Sequence, residues 1–363
     1  MSKSITIITC QKDPDYIRAL VLRLGVIALP NWDVSIVKNS QSGLLRYLEV
    51  AYKILKIRLK ENPDVFLLTF RGYEMLPWLL LVATGKRVIF DEFINAFEWA
   101  AYEHKLFSPI SIFGKLFNSL YGFLLRRCDA ILSDTEAHAD ISSKLSLVPR
   151  DRYLSVPVGT DETLFIPSER KSKIVFFDVF FYGNILPLHG IDIIIAAALK
   201  LKSEFNIRFT FVGGKAEHQS AIEKATSAGA NIIYIKYVPF IELPNCIHDA
   251  SLCLGGPFGD TFQSQYVVTG KTYQFLAAGV PTVIGASQAS GLFKDKENSL
   301  VVPQGDSHAL AKAILWAQQH PESLMAIGAA GRKLYETAFS NQIVTGCLAT
   351  LLCPVGETSG RRE

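Results

Sequence analysis

The sequence of 363 residues lacks the marks of several protein classes. Its six cysteines show no CxxC spacing and no paired histidines beside them, so neither a zinc site nor a disulfide framework is expected. The longest uncharged apolar run, 75–85, is about half of the roughly 20 residues that a membrane-spanning helix needs. Residues 1–13 hold too short an apolar core for a secretory signal. These absences predict a cytoplasmic protein.

The sequence also lacks a large excess of charge of either sign. The formal net charge is only +3, which argues against a strongly basic nucleic-acid-binding protein. Hydrophobic residues make up 49% of the chain, and the mean hydropathy is +0.22, so part of the surface is expected to be unusually apolar. The length allows two domains, each with its own core.

Short β-branched runs alternate with helical segments along the whole chain, which predicts an α/β protein with parallel sheets and right-handed crossovers. The first series begins with SITIITC at 4–10, and a second series begins at 174–182. The charged segment 168–173 between them predicts domains at 1–167 and 168–340. A last helix, at about 341–353, is expected to pack back on the first domain, and the tail after it to be disordered.

Two helices of the first half are unusual. The helix 44–60 has Leu44, Leu48, Leu55 and Leu59 at helical spacing among basic residues. We expect an ordinary helix whose apolar side faces the core; the alternative is a helix that lies on a membrane surface with its cations toward acidic lipid. The stretch 106–127 has very few polar residues. It is expected either to pack in the core or to contact a membrane or a lipid-linked acceptor.

The stretch VVTGKTYQFLAAGVPTVIG reads as a helix with both ends marked. Thr269 can cap its first turn and Gly279 follows its last one. Gly270 and Lys271 lie in the first turn, where free N–H groups and the helix dipole favour an anion. The GKT is not the end of a P-loop, because Gln265 stands where that motif needs glycine. The alternative is a lysine that merely points to solvent.

Glycines follow several predicted strands of the second half, as in YGN at 182–184, VGG at 212–214 and LGG at 254–256. Ligands of open parallel sheets bind beyond the carboxyl ends of strands, where glycine lets the backbone approach a phosphate. Each glycine alone is more often part of a tight turn. Their recurrence in one domain favours a nucleotide site.

The runs FFYGNILPLHGIDIIIAAALKL, FTFVGG, VPFIELPNCIHDASLCLG, GKTYQFLAAGVPTVIG and NSLVVPQGDSHALAKAI, in this order, resemble the donor domain of family-4 glycosyltransferases. SDTEAHAD followed by VPVGTDETLF resembles the end of the acceptor domain and the crossing between domains. The resemblance covers about 130–339, and residues 1–100 only by layout. It implies the GT-B fold, in which two Rossmann-like domains face each other across a cleft.

The resemblance also implies a function. Family members transfer a sugar with retention of configuration from a nucleotide diphosphate sugar, here of the UDP or GDP type, to an acceptor. The acceptor expected here is a glycan or a lipid-linked glycan, as in polysaccharide biosynthesis, with no metal or other cofactor. The donor would bind 168–340 and the acceptor 1–167. The expected location is the cytoplasm, with peripheral contact at the inner membrane face through 106–127.

In the family, an arginine and a lysine near the first donor-domain strand grip the diphosphate, and these positions hold Asn184 and His189 here. Asn184 carries no charge, and His189 would be cationic only if the diphosphate raised its pKa. Lys271 is expected to compensate as a cation in the helix's first turn. The remaining donor contacts that the resemblance implies are Gly183, Gly213, Val238, Tyr266, Thr269, Gly270, Thr272 and Gln274.

Three positions carry further expectations. The paired carboxylates of the family fall on Tyr266 and Gln274, and the amide of Gln274 can still bond one ribose hydroxyl. Asp91 in RVIFDEF ends a predicted strand, where it is expected to face the cleft as a catalytic residue; the alternative is that it caps the segment that follows. The missing charges leave a second hypothesis open, a binding or scaffold protein of the same fold that has lost catalysis.

Overall fold

The computed structural model describes residues 3–168 and 175–353. The first of its two units ends at Gly159 and resumes at Asn341, and the second runs from Thr160 to Ser340. The predicted boundary after Pro167 therefore falls inside the second unit. Of the charged segment that suggested it, only Ser168 is described, and the predicted disordered tail lies outside the described residues from 354 onward.

The first unit is built on a six-stranded parallel sheet. Its strands are β1 (Lys3–Thr9), β2 (Trp32–Lys38), β3 (Val65–Leu68), β4 (Arg87–Asp91), β5 (Ala130–Ser133) and β6 (Tyr153–Ser155). The order across the sheet is β2-β1-β3-β4-β5-β6, and every pairing is parallel. The connecting helices are α1 (Ile17–Ile27), α2 (Leu45–Lys60), α3 (Leu76–Val82), α4 (Ala96–Glu98) with a π-helical turn at Trp99–Glu103, α5 (Ile112–Arg126) and α6 (Glu136–Ser146), and a 3₁₀ turn follows at Arg150–Arg152.

The second unit has another six-stranded parallel sheet, as the alternation of the sequence predicts. Its strands are β7 (Phe177–Gly183), β8 (Ile207–Gly213), β9 (Ile232–Ile235), β10 (Leu252–Leu254), β11 (Thr282–Gly285) and β12 (Leu300–Val302). Its helices are α7 (Ile191–Lys200), α8 (Ala216–Ser227), α9 (Leu243–Asp249), α10 (Gly270–Ala277), α11 (Ser307–Gln319) and α12 (Pro321–Leu334). Shorter turns of helix lie at Pro187–His189, Phe240–Glu242, Gln263–Gln265 and Tyr335–Phe339.

The strand order of the second sheet determines where a ligand can bind. The order is β12-β11-β10-β7-β8-β9, so the chain runs outward in one direction from β7 through β9 and in the other from β10 through β12. Connections diverge between β7 and β10, which leaves a crevice beyond the carboxyl ends of these two neighbouring strands. The glycine-rich strand ends of the sequence therefore meet at the topological switch point.

The last helix, α13 (Asn341–Leu352), belongs to the first unit and packs against α1. Gly25 of α1 permits this contact, because a Cβ there would lie 2.9 Å from a methyl group of Leu348. Val344 and Leu348 are buried against the face of the sheet that α1 also covers. The chain thus returns to its first unit after completing the second.

Helix α2 contradicts the prediction for 44–60. Leu44, Leu48 and Leu59 are exposed, by 81%, 69% and 75%, whereas Val50 and Ile54 are fully buried. The helix has two apolar stripes, and both have helical spacing. Periodicity identifies each stripe but does not say which of them meets the sheet.

The stretch 106–127, which contains helix α5, is partly buried in the core and partly exposed, so neither of the two predicted alternatives describes all of it. Tyr121 and Leu125 are buried in the core, but several large apolar residues of this stretch are more than half exposed. These exposed residues are Leu106, Ile110, Ile112, Phe113, Leu116 and Leu120. Among residues 3–168 and 175–353, no helix combines the length and apolarity needed to cross a bilayer.

Asp91 is buried at the carboxyl end of β4 and does not face a solvent-filled cleft. Its carboxylate accepts three hydrogen bonds from Arg18, at 3.1, 3.4 and 2.8 Å, and a fourth from the N–H of Phe70 at 3.2 Å. Arg18 is also fully buried and donates to the carbonyl groups of Val156 and Pro157 at 2.6 and 2.9 Å. The pair joins α1 to the ends of β4 and β6, so the expectation of a substrate-facing Asp91 is wrong.

The alternative role for Asp91 also fails. The cap of α4 is Asn95, whose side chain accepts from the N–H groups of Phe97 and Glu98 at 3.1 and 3.0 Å. The carboxyl oxygens of Asp91 bond to Arg18 and Phe70. Asp91 is therefore a structural partner of Arg18.

Replacement of Asp91 by leucine is expected to lower the free energy of unfolding of the first unit by about 3–5 kcal/mol, because Arg18 remains buried without its counter-charge. Urea denaturation followed by the fluorescence of Trp32, Trp78 and Trp99, all in the first unit, measures the change. The double variant Arg18→Met, Asp91→Leu should recover part of the loss. A single variant as stable as the wild type would contradict the structural role.

Candidate functional site

The carboxyl ends of β7 and β8 are free of side chains where the two strands lie side by side. Gly183 and Gly213 are paired in register, and both have positive φ angles, 140° and 92°. A Cβ at Gly213 would lie 2.5 Å from the carbonyl oxygen of Gly183. Only glycine fits there without displacing the neighbouring strand, and the result is a floor of half-buried backbone without side chains beside the switch point.

Helix α10 begins above this floor and is fixed to the end of β10. The hydroxyl of Thr269 donates to the carbonyl oxygen of Gly255 at 2.6 Å and lies 3.0 Å from the hydroxyl of Thr272. A Cβ at Gly255 would lie 2.5 Å from that Thr272 hydroxyl. Thr269 is thus a tie between the helix and the strand end, and its side chain does not cap the first turn as predicted.

The first turn of α10 lies beside the end of β10, to which Thr269 ties it. The N–H of Thr272 bonds to the carbonyl oxygen of Thr269, as at an ordinary helix start. Those of Gly270 and Lys271 precede the first intrahelical bond and have no acceptor within the helix. Gly270 has no atoms crowding its Cβ position, so the approach to this turn is open.

Lys271 is a buried cation, which excludes the alternative of a solvent-facing lysine. The residue is only 7% exposed, and its Nζ lies 5.0 Å from the centroid of the Phe181 ring. No carboxylate lies within ion-pair distance of it in the described part of the chain. Burial lowers the pKa of Lys271 from 10.5 to about 7. An anion is the partner that this ammonium group lacks.

His189 lies beside Lys271 and is neutral. Its Nδ1 accepts a hydrogen bond from the N–H of Leu186 at 3.0 Å, which leaves the proton of the imidazole on Nε2. Burial and the nearby Lys271 lower the pKa of His189 well below its ordinary value of 6.5. His189 can therefore donate one hydrogen bond from Nε2, while Asn184, exposed at the end of β7, offers an uncharged amide.

Gln274 lies one turn after Lys271 on the same side of α10. It is 5% exposed, and its Oε1 has no hydrogen-bond donor among the described residues. A buried amide oxygen without a donor costs free energy, and a ligand hydroxyl would supply the missing donor. The structure therefore leaves an acceptor open at the position where the sequence predicts a contact with ribose.

Tyr266 and Val238 are placed differently. Tyr266 is 1% exposed and its ring packs edge-on against Phe262, with the ring centroids 5.9 Å apart. Val238 follows β9 and is half-buried ahead of the 3₁₀ turn Phe240–Glu242. Neither placement tests the donor contacts that the resemblance implies for them.

Phe181 is a site residue that the sequence did not reveal. It precedes Gly183 by two positions on β7, so both lie on one face of the strand, and its ring supports the ammonium group of Lys271. The double phenylalanine of FFYGN gave only a strand signal. Within 3–168 and 175–353, no group of three or more His, Cys, Asp or Glu side chains could hold a metal ion.

Three solved structures resemble the chain over nearly its whole length. HepE from Anabaena, solved with UDP and glucose, is 13% identical with a TM-score of 0.72, and the alignment covers 96% of this chain and 99% of that one. Sucrose-phosphate synthase from Thermosynechococcus elongatus is 15% identical, with a TM-score of 0.73 and coverage of 96% and 98%. A glycosyltransferase from Rickettsia africae is 13% identical, with a TM-score of 0.69 and coverage of 96% and 97%.

At these identities the similarity concerns the fold. The chain has the α/β GT-B fold with two Rossmann-like units, as predicted. Residues 177–320 match the family described as glycosyl transferases group 1, so the second unit contains a domain of that kind. No curated protein matches the sequence significantly.

Replacement of Lys271 by methionine is expected to raise the melting temperature at pH 7 by at least about 2–4 °C, the change that accompanies 1 kcal/mol in a unit of this size. Methionine fills similar space without a buried charge. Because the folded-state pKa lies below the unfolded one, the cost of the lysine is fully present below about pH 7 and declines as the pH rises toward 10.5. The difference in melting temperature should therefore shrink between pH 7 and pH 10.

The control is Lys224→Met, which alters an exposed lysine of α8 and should change the melting temperature little at either pH. Differential scanning fluorimetry of the three proteins measures these effects. A Lys271→Met protein that melts below the wild type at pH 7 would contradict the prediction and show that the ammonium group has a stabilising partner.

Proposed function

We propose that the protein is a retaining hexosyltransferase of the family-4 type, which moves a sugar from a nucleoside diphosphate sugar to a glycan or lipid-linked acceptor. The observation that carries the proposal is Lys271, a buried ammonium group without a counter-charge at the switch point of a group 1 glycosyltransferase domain. HepE, with the same fold, has been solved with UDP-glucose. No metal or other cofactor is part of the proposal.

The proposed chemistry needs a positive site for the leaving group. When the glycosidic bond to the β-phosphate breaks, the phosphate oxygen takes the bonding electrons and gains negative charge. Lys271 would neutralise that charge, assisted by the N–H groups of Gly270 and Lys271 at the positive end of α10. Glycines 183 and 213 would let the diphosphate lie close to the strand ends.

Two uncharged groups would complete the diphosphate contacts. His189 donates from Nε2, and Asn184 donates from its side-chain amide, but neither adds positive charge. Neutralisation would therefore rest on Lys271 and on the helix. Thr269 and Thr272 would act through the geometry of the turn, since their hydroxyl groups bond to each other and to Gly255.

Gln274 is proposed to accept a hydrogen bond from a ribose hydroxyl through its open Oε1. Val238 and Tyr266 remain proposed donor contacts on the strength of the family resemblance. Asp91 is not included, because its carboxylate is engaged with Arg18 in the interior. Retention of configuration is also inferred from the family resemblance, and the product anomer would test it directly.

A lipid-linked acceptor, with peripheral contact at the inner membrane face through 106–127, is proposed from the surface of α5. Beside this helix the first unit has an apolar cavity of about 520 Å³, lined by aromatic and aliphatic side chains that include Trp99, Phe107, Phe113 and Phe117. Glu74 is its one charged lining residue. Such a cavity suits a hydrocarbon chain better than a sugar.

A scaffold protein without catalysis is the second candidate, and the neutral His189 with the uncharged Asn184 is the observation that favours it. Both candidates require nucleotide binding by the second unit. They differ in catalysis, because only the transferase would consume a nucleotide sugar.

Saturating UDP or GDP is expected to raise the melting temperature, by about 5–10 °C at 100 times the dissociation constant, through mass action. Lys271→Met should lose the shift, and Lys224→Met should keep it. Proton NMR of a panel of nucleotide sugars with pure protein and a membrane extract then detects sugar release or transfer and identifies the anomer. The absence of a shift with every nucleoside diphosphate would refute the proposal; a shift without turnover would favour the scaffold.

Replacement of Gln274 by alanine is expected to weaken UDP binding about tenfold through loss of one hydrogen bond to ribose. Calorimetric titration should show that the wild type discriminates between UDP and either its 2′-deoxy or its 3′-deoxy analogue, and that the variant does not. Gln274→Glu, which keeps an acceptor, should retain the discrimination. Equal weakening toward UDP and both deoxy analogues would contradict the ribose contact.

A further inference from the structure

Helix α2 has a second apolar face that no part of the described chain covers. Its inner face packs in the core through Val50 and Ile54. The outer face, called here the α2 stripe, occupies a sector of the helix about 100° wide. The α2 stripe consists of Leu44, Leu45, Leu48, Tyr52, Leu55 and Leu59, all exposed. Six large apolar side chains in one sector of an exposed helix mark a binding surface.

Cations line one edge of the α2 stripe. Lys56 and Lys60 follow it around the helix, are exposed, and form no ion pair in the described ranges. Lys53 lies beyond them and is bonded to Glu49 at 2.6 Å. Glu49 is the only acidic residue of α2, so the edge of the stripe is positively charged.

The helices next to α2 also carry exposed apolar side chains. Helices α2 and α5 both pack on α3, whose Leu81 is also exposed. On α5, the Arg127 guanidinium that follows the helix lies 4.8 Å from the ring centroid of the exposed Phe123. Cations beside apolar groups thus recur on this side of the first unit.

We propose that the α2 stripe, with Lys56 and Lys60, binds the surface of a bilayer that contains anionic lipid. Leu44, Leu48 and Leu59 would enter the boundary of the acyl chains, and the lysines would reach lipid phosphates at the headgroup level. Tyr52 has the amphipathic ring that suits this boundary. The surface is distinct from 106–127, and the inference does not depend on sugar transfer.

Charge decides between a bilayer and a second copy of the chain. A symmetric dimer would place one α2 stripe against another, and the partner would bring the same unpaired lysines. The only carboxylate on α2 is already bonded to Lys53 and to the N–H groups of Ser40 and Gln41. A second copy therefore offers no counter-charge from this helix, whereas an anionic bilayer offers it along the whole edge.

The test uses the full chain and co-sedimentation with phosphatidylcholine vesicles, with and without phosphatidylglycerol. The wild type should bind the phosphatidylglycerol vesicles more tightly, and added salt should weaken that binding. Lys56→Gln with Lys60→Gln should reduce the affinity about 20- to 30-fold, at about fivefold for each lysine. Leu48→Asp with Leu55→Asp should abolish binding.

Matched controls are Lys224→Gln and Phe205→Asp, which alter an exposed cation and an exposed large apolar residue of the second unit. Both should bind vesicles like the wild type. Unchanged binding by the two α2 variants would overturn the proposal. So would a wild-type dimer in size exclusion with light scattering that Leu48→Asp with Leu55→Asp converts to a monomer, since a second copy would then cover the stripe.

Circular dichroism and the melting temperature of each variant show whether it folds, and Lys56→Gln with Lys60→Gln alters only exposed side chains. The thermal shift with UDP is recorded separately. Vesicle binding without a UDP shift would count against the proposed sugar transfer and for the membrane surface. A UDP shift without vesicle binding would count against the membrane surface and for the proposed sugar transfer.

Discussion

The second unit is organised around an ammonium group that is buried without a counter-charge. Desolvation of Lys271 opposes folding, and nothing in the described chain offsets it with an ion pair. The surroundings are arranged to hold this cation while leaving room beside it: the ring of Phe181 supports it, and Gly183 and Gly213 keep side chains away from the strand ends. The tie from Thr269 to Gly255 fixes the helix that carries it. A buried charge of this kind lowers stability, which is the cost commonly found at functional sites.

Arg18 in the first unit shows the opposite solution to the same problem. It too is a buried cation at the carboxyl edge of a parallel sheet, but Asp91 and three carbonyl groups satisfy it. Its hydrogen bonds therefore join α1, β4 and β6, and they leave it unable to bind a ligand. Pairing is what distinguishes the two cations, since burial and position at the sheet edge are shared: Arg18 has a carboxylate partner, and Lys271 has none among the described residues.

That contrast also explains where sequence reasoning succeeded and where it stopped. Alternating strands and helices predicted both sheets, and the ordered motifs predicted the GT-B fold, because these features are local or recur along the chain. The position of Lys271 in the first turn of a helix was also predicted, whereas its role in binding stays a prediction. The partner of Asp91 lies 73 residues away on α1, and no local pattern reports such a contact. Likewise, the two apolar stripes of α2 have equal periodicity, and only packing on the sheet distinguishes them.

Because Asn184 and His189 replace the arginine and lysine expected from the family resemblance, the proposed neutralisation of the diphosphate depends on Lys271. The pKa of Lys271 is compatible with that role. Burial lowers the pKa of Lys271 to about 7, so near neutral pH part of the population avoids the cost of a buried charge by releasing the proton. A diphosphate would favour the charged form and draw the proton back, so that the cation would be fully present when the anion is. His189, neutral because of burial and Lys271, adds no competing charge. A single titrating lysine could then serve where the family resemblance implies two fixed cations, at the cost of an affinity that declines as the pH rises above 7.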